Sequence, residues 1–258
     1  MNPAAADKEQ SLISHLLELR DRLLRCVIAI MLPAIVMAFI WPKAGFIYDL
    51  LAKPMLDTLP PGTKMIATGV ITPFMVPVKV TMLAAFMLVL PYVLYQIWAF
   101  VAPGLYRHEK RLAVPLIVSS SLLFFAGMAY CYFIVFKVVF SFIASFSPTS
   151  VTSAPDIEAY LGFVMTMFIA FGMAFEIPVA VVILVRFGIV PLQKLREIRG
   201  YIVVAAFVVA AVVTPPDILS QLLLAIPLCV LYEVGLIAGR FVKPRTDDPT
   251  EAAANTPQ

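Results

Sequence analysis

The chain has 258 residues, of which 62% are hydrophobic and only 14% are charged, and its mean hydropathy is +0.96. Soluble domains are about 45–50% apolar and about 25% charged, so a soluble fold of this length would expose too much apolar surface to water. The composition therefore predicts an integral membrane protein. The net charge of +3 is spread along the chain, which argues against nucleic-acid binding as the main function.

Six continuous apolar runs predict the membrane-spanning helices. They are Leu23–Trp41, Val76–Val101, Leu112–Phe136, Tyr160–Phe187, Tyr201–Thr214 and Ile218–Phe241. The runs do not alternate between apolar and polar residues, so helices are favoured over barrel strands. We expect an all-α membrane protein in three parts: a cytoplasmic amphipathic segment (1–22), a six-helix membrane domain (23–241) and a disordered cytoplasmic tail (242–258).

The fifth span is unusually short and is stopped by Pro215 and Pro216. About 14 residues rise roughly 21 Å, against a hydrocarbon core of about 30 Å. One interpretation is that spans five and six are short and thin the bilayer locally. The other is that span five extends backwards through Gly200 and Arg199.

The distribution of basic residues predicts the orientation. Fourteen of the 19 Lys and Arg residues lie in one set of segments: Lys8, Arg20, Arg22, Arg25, Arg107, Lys110, Arg111, Arg186, Lys194, Arg196, Arg199, Arg240, Lys243 and Arg245. The other set holds Lys43, Lys53, Lys64, Lys79 and Lys137. The positive-inside rule places the first set, and with it both termini, in the cytoplasm.

Two carboxylates lie in the predicted cytoplasmic segments. Glu18 belongs to an amphipathic stretch and stands four residues before Arg22, and Glu109 is surrounded by basic residues in the loop after span two. Either acid can simply pair with its neighbours. Alternatively, each can accept an arginine from a ligand, because the guanidinium group binds a carboxylate with two hydrogen bonds.

Three further acids accompany the apolar runs. Glu176 lies near the middle of span four, where a charge is costly, so we expect it to face a cavity or to pair with Ser, Thr or Gln on another helix. Glu233 is interpreted as structural, by snorkelling or by pairing with Arg240. Asp217 has the position of a helix N-cap before span six.

No sequence motif indicates catalysis. Cys26, Cys131 and Cys229 lack metal or redox spacing, and the chain has no HExxH, nucleotide-binding glycine loop or GxSxG. We therefore expect no enzymatic activity, no catalytic residue, no metal and no cofactor. Energy for any transport must come from a partner or from the membrane potential.

Four blocks of this sequence, in order, resemble the TatC family, the receptor subunit of the twin-arginine protein translocase. They are SHLLELRDRL from Ser14, YQIWAFVAPGLYRHEKR ending at Arg111, FGMAFEIPVA around Glu176 and TPPDILSQLLLAIP from Thr214. The resemblance covers almost the whole membrane region. It implies a cup-shaped six-helix protein of the bacterial inner membrane that binds signal peptides with consecutive arginines and exports folded proteins with the proton-motive force.

The resemblance also implies roles for individual residues. Glu18 and Glu109 would accept the arginine pair, with Arg20 and Phe100 shaping that site. Pro54 would lie in an outer cap, Asp217 at an outer turn, and Glu176 on the membrane concavity. Thr214 and Gln221 would form a polar patch where single-span TatA-like and TatB-like partners dock within a larger, self-associating complex.

Two other functions compete with this interpretation. A proton-coupled secondary transporter of a small solute would use Glu176 as its ion site, but it would concentrate polar residues at the midplane of broken helices. An intramembrane enzyme is disfavoured because the nucleophile and metal motifs are missing.

Overall fold

The computed structural model describes residues 3–40, 45–60, 62–101, 110–146, 154–214 and 217–242. Its helices are α1 (Pro3–Ile40), α2 (Gly45–Leu56), α3 (Thr72–Val101), α4 (Lys110–Tyr130), a π-helix (Cys131–Val135), α5 (Phe136–Ser145), α6 (Ile157–Phe175), α7 (Ile177–Arg186), α8 (Leu192–Glu197), α9 (Arg199–Val213) and α10 (Ile218–Arg240). Across these ranges the only β pairing is an isolated bridge between Ile66 and Asp156. The all-α prediction is confirmed.

Five helical stretches are long and apolar enough to cross a membrane: Ser14–Phe39, Thr72–Val101, Val114–Ser145, Ile157–Arg186 and Ile218–Arg240. They coincide with predicted spans one, two, three, four and six. The remaining apolar helix, α9, has 15 residues and rises only about 22 Å. It begins at Arg199, as the second interpretation expected, and still remains shorter than the hydrocarbon core. Span six is not short, because α10 has 23 residues.

The helix boundaries add detail at two places in the predicted organisation. The amphipathic segment and span one form a single helix, α1, with no break at Leu23. Span four is instead divided into α6 and α7 at Glu176. Pro178 explains the division: it lacks an N–H group and its ring collides with the carbonyl one turn earlier, so the regular hydrogen-bond ladder cannot continue.

The helices cross between two ends of the bundle. We call the end near Thr72, Ile157 and Val213 the outer end, according to the predicted orientation, and the opposite one the inner end. At the outer end the loop before α3 joins the segment before α6: the Ile66 amide donates to the Pro155 carbonyl (3.0 Å), and the Ile157 amide donates to the Ile66 carbonyl (2.9 Å). This pairing holds the predicted outer loops together.

Charged groups reinforce the same end. Lys79 on α3 forms an ion pair of 2.6 Å with Glu158 on α6, which also accepts a hydrogen bond from Thr72 (2.8 Å). Asp156 accepts hydrogen bonds from the amides of Ala159 (3.0 Å) and Thr68 (3.1 Å), and these bonds hold its pKa below the usual value. Sequence analysis assigned no role to Glu158 or Asp156.

A close helix crossing lies at the centre of the bundle. The main pairs of helices are α1 with α3, α4 with α6, α7 with α10 and α9 with α10. Where α4 crosses α6, a Cβ atom added at Gly127 would lie 2.4 Å from the Phe171 carbonyl oxygen. Small residues allow membrane helices to approach this closely, so Gly127 determines how closely these two helices pack.

We predict that Gly127→Ala lowers the unfolding free energy of the detergent-solubilised protein by about 1–3 kcal/mol, because the α4 and α6 backbones must separate. The matched control is Gly162→Ala on α6, where an added Cβ meets nothing within 4 Å. Gly162→Ala should lower the unfolding free energy by less than about 1 kcal/mol, or should raise it. Thermal unfolding of both variants measures the difference, and equal melting temperatures would contradict the role of this crossing.

Candidate functional site

A polar cluster joins α1 to α3 at the inner end. The Nε and Nη2 atoms of Arg22 donate to Glu18 Oε1 at 2.9 and 2.6 Å, so the predicted pairing of these residues is confirmed. Nη1 of Arg22 donates to Gln96 Oε1 (3.1 Å), and Gln96 Nε2 donates to the Tyr92 hydroxyl (2.7 Å). One guanidinium group thus connects the two helices.

This arrangement leaves one carboxylate oxygen of Glu18 without a contact to Arg22. The side chain of Glu18 remains 42% exposed while that of Arg22 is 21% exposed. Both Arg22 contacts go to Oε1, which leaves Oε2 outside this ion pair. Since a carboxylate has about four acceptor positions, Glu18 retains the capacity to bind another guanidinium group.

An aromatic pair lies beside this carboxylate. The rings of His15 on α1 and Phe100 on α3 stack with centroids 4.3 Å apart and planes inclined by 15°. His15 stands one turn before Glu18, so the stacked rings border the carboxylate. The structure therefore brings Glu18 and Phe100 to the same helix pair. The contacts of His15 and Gln96 depend on how α1 packs against α3, so they could not be predicted from the sequence.

Arg20, another residue predicted for this site, pairs with its neighbour on α1 rather than with the cluster. Arg20 donates to Asp21 Oδ1 from Nε (3.0 Å) and Nη2 (2.8 Å), and both side chains are exposed. Glu109 lies outside the described residues. The predicted involvement of Arg20 and Glu109 thus stays a prediction.

A second polar chain crosses the interior of the bundle. Trp98 Nε1 on α3 donates to Ser120 Oγ on α4 (2.8 Å), and Ser120 Oγ donates to Glu176 Oε2 at the junction of α6 and α7. Ser120 is fully buried and Trp98 is 7% exposed. Of the two alternatives for Glu176, a cavity or a polar partner on another helix, the structure shows the second, with Ser120 as the partner.

One oxygen of Glu176 remains available. Among the described residues, Oε1 is buried and has no hydrogen-bond partner. An unpartnered carboxylate oxygen in an apolar interior is costly, so the site favours an additional polar group beside Oε1. The break between α6 and α7 brings this residue to a helix junction, which a strictly regular span four would not do.

The outer-end residues occupy the α9–α10 hairpin and α2. Asp217 caps α10, as predicted, by accepting a hydrogen bond of 2.7 Å from the Ser220 amide. Thr214 donates to the Ala210 carbonyl (2.8 Å), and Gln221 Nε2 donates to the Phe207 carbonyl across the hairpin (3.2 Å). Pro54 lies within α2.

One structural expectation is wrong. Glu233 pairs with Arg199 on α9 (2.7 Å) rather than with Arg240. Arg240 stands two helical turns along α10, beyond the three- or four-residue spacing that allows side chains on one helix to meet. The interpretation of Glu233 as a structural acid agrees with this ion pair.

Nothing in the described part of the chain forms a metal site: no group of three His, Cys, Asp or Glu side chains is close enough together there to hold an ion.

Comparison with known proteins gives consistent results. The family described as "Sec-independent protein translocase protein (TatC)" matches residues 14–227. The protein of that name from Haemophilus influenzae is 48% identical over 242 residues, covering 94% of this chain and 93% of the relative. Its counterpart from Escherichia coli (strain K12) is 48% identical over 237 residues, covering 92% of this chain and 91% of the relative.

A solved structure shares the fold. The crystal structure titled "Twin Arginine Translocase Receptor- TatC" superimposes with a TM-score of 0.74 at 34% sequence identity. The match covers 88% of this chain and 98% of the other.

We predict that Ser120→Ala lowers the unfolding free energy by about 1–2 kcal/mol, because it removes the partner of both Trp98 Nε1 and Glu176 Oε2. The neighbouring Ser119→Ala is the matched control, since exposed Ser119 donates only to the Leu116 carbonyl. Melting temperatures in detergent compare the two variants. Equal values would show that the buried chain of hydrogen bonds does not stabilise the bundle.

Proposed function

Because this chain belongs to the TatC family, we propose that it is the signal-peptide receptor and assembly scaffold of a twin-arginine translocase. In this role it would export folded proteins across the bacterial inner membrane with the proton-motive force. The observation that best supports a receptor site is the half-exposed Glu18 carboxylate, oriented by Arg22 and bordered by the His15–Phe100 stack. The family is not enzymatic, and the comparisons give no support to the solute-transporter alternative.

The chemistry of the cluster suits an arginine pair. Arg22 neutralises Glu18 only through Oε1, so an incoming guanidinium group can approach Oε2. The flat ring of Phe100 offers a surface on which a second guanidinium group stacks. We propose that Glu109 supplies the other carboxylate and that Arg20 shapes the entrance.

The orientation of the protein in the membrane rests on the unequal distribution of its basic residues, 14 of which lie in one set of segments and five in the other. We propose that both termini are cytoplasmic, so the Glu18 cluster faces the compartment in which precursors are made. A reporter enzyme that functions only in the cytoplasm should then be active when it is fused after Gln258. A reporter that functions only outside the cell should be inactive at the same position. Activity restricted to the exterior would contradict this topology.

The remaining predicted residues have proposed roles elsewhere. Thr214 and Gln221, at the outer end of the α9–α10 hairpin, would form the docking patch for single-span TatA-like and TatB-like partners. The exposed apolar side chains of α9, including Val204, Val208 and Val212, supply a lipid-facing surface for such a helix. Pro54 would stabilise the outer cap and Asp217 the outer turn.

We predict that Glu18→Gln weakens binding of a twin-arginine signal peptide by roughly one to two powers of ten, because the charge-assisted bond from the peptide guanidinium group to Oε2 is lost. A peptide with lysines in place of the arginines should bind the unaltered protein with a similar loss. In a double-mutant cycle the two changes should be strongly coupled. The measurement is peptide affinity for the full chain in nanodiscs.

The control for this cycle is Asp21→Asn, an exposed acid on the same helix that already pairs with Arg20. It should change affinity by less than about twofold. Additive losses for Glu18→Gln and the lysine peptide would mean that Glu18 serves only Arg22, and the binding site would have to lie elsewhere.

We predict that Glu176→Ala leaves the protein inserted but reduces export on the order of tenfold, because a buried, ionisable carboxylate acts in transport. Glu176→Gln, which retains a partner for Ser120, separates loss of ionisation from loss of packing. Glu233→Gln controls for the removal of a structural acid. Degradation of the Glu176 variants, with normal export per surviving molecule, would instead make Glu176 a purely structural residue.

A further inference from the structure

A cavity of about 750 Å³ opens at the outer end, between α2 and the middle of the third span. Its volume lies within the range of small-molecule sites. The floor is apolar and is formed by Met87, Phe125, Met128 and Phe168 from three membrane-spanning stretches. No role proposed above, other than that of Pro54 in the cap, involves this cavity.

The opening of the cavity is polar and carries two cations. Lys53 on α2 and Lys137 on α5 both line it, together with Asp57, Thr58 and Ser141. Within the described residues, no carboxylate forms an ion pair with either lysine. These lining residues contribute two ammonium groups and one carboxylate, so the opening carries a net positive charge.

The walls of the cavity are held in place. Tyr132 donates its hydroxyl to the Leu50 carbonyl (2.6 Å) and Tyr160 donates to the Leu51 carbonyl (2.6 Å), so two bonds anchor α2 to the spans. Tyr132 and Phe133 belong to the π-helix and line the cavity. Short π-helical segments are frequent at functional sites, because the extra residue changes where side chains project.

We propose that this cavity binds an anionic phospholipid of the outer leaflet. One acyl chain would occupy the apolar floor, and the phosphate would lie between Lys53 and Lys137. Lys137 lies nine residues, or roughly 13 Å, beyond Met128 of the floor towards the outer end of the third span, and Lys53 lies in the last turn of α2. The site therefore matches a molecule whose negative group stands at the boundary of its apolar chains. An apolar peptide segment would leave both ammonium groups without a counter-charge.

Native mass spectrometry of the full chain, titrated with phosphatidylglycerol or phosphatidylcholine, tests this site without any exported precursor. We expect the unaltered protein to retain phosphatidylglycerol preferentially. Lys53→Gln/Lys137→Gln should weaken that retention by about tenfold or more. Ala129→Phe, which fills the cavity without changing its charge, should also weaken it, whereas Lys64→Gln, outside the cavity, should not. Glycerol phosphate, which has no acyl chains, should not compete.

Three results would overturn the proposal. Equal retention of both lipids would remove the role of charge, and unchanged retention in the double lysine variant at an unchanged melting temperature would move the lipid elsewhere. Photo-crosslinking of an apolar peptide segment at Ala129, undiminished by excess phosphatidylglycerol, would make the cavity a peptide site. The measurement needs no arginine-bearing peptide. A negative result would therefore leave the proposed receptor role of the Glu18 cluster unaffected.

Discussion

The hydrocarbon layer provides no hydrogen-bond partner, and this constraint determines where the polar groups of the chain lie. Backbone groups are satisfied within long helices, and most charged side chains lie at the helix ends. Within the described ranges, part-buried Glu176 departs from this distribution, and the chain accommodates it with a helix break and a serine that is itself held by Trp98. That arrangement connects α3, α4 and the α6–α7 junction through three side chains.

The same constraint gives the two ends different properties. At the outer end, Lys79 pairs with Glu158 across two helices, and the loops are joined by backbone hydrogen bonds. At the inner end, Glu18 is as exposed as Glu158 (42% each), but Arg22 contacts only its Oε1, whereas both oxygens of Glu158 have a partner. A partly solvated carboxylate with spare acceptor capacity suits reversible recognition of a cationic ligand better than a fully satisfied ion pair does.

Features with a strong local signal could be predicted from sequence. Continuous apolar runs located five long helices and the short α9, and Asp217 before an apolar run gave the cap of α10. The partners of Glu176 and Glu233 could not be identified, because Ser120 and Arg199 are brought near only by helix packing. Span four was predicted as continuous, although Pro178 could have indicated the break at Glu176, since proline disrupts the preceding turn. No comparable feature of the sequence predicts the π-helix.

Site-specific photo-crosslinking from α3 tests the receptor role most directly. A photoreactive residue at Ile97, which is exposed and one turn before Phe100, should crosslink to a signal peptide close to its arginine pair. The same residue at Leu88, exposed on the same helix but deeper in the membrane, should give much less product at that position. Replacing the peptide arginines with lysines should abolish the Ile97 product. Equal crosslinking from both positions, or a product independent of the arginines, would contradict a twin-arginine site at the inner end of α1 and α3.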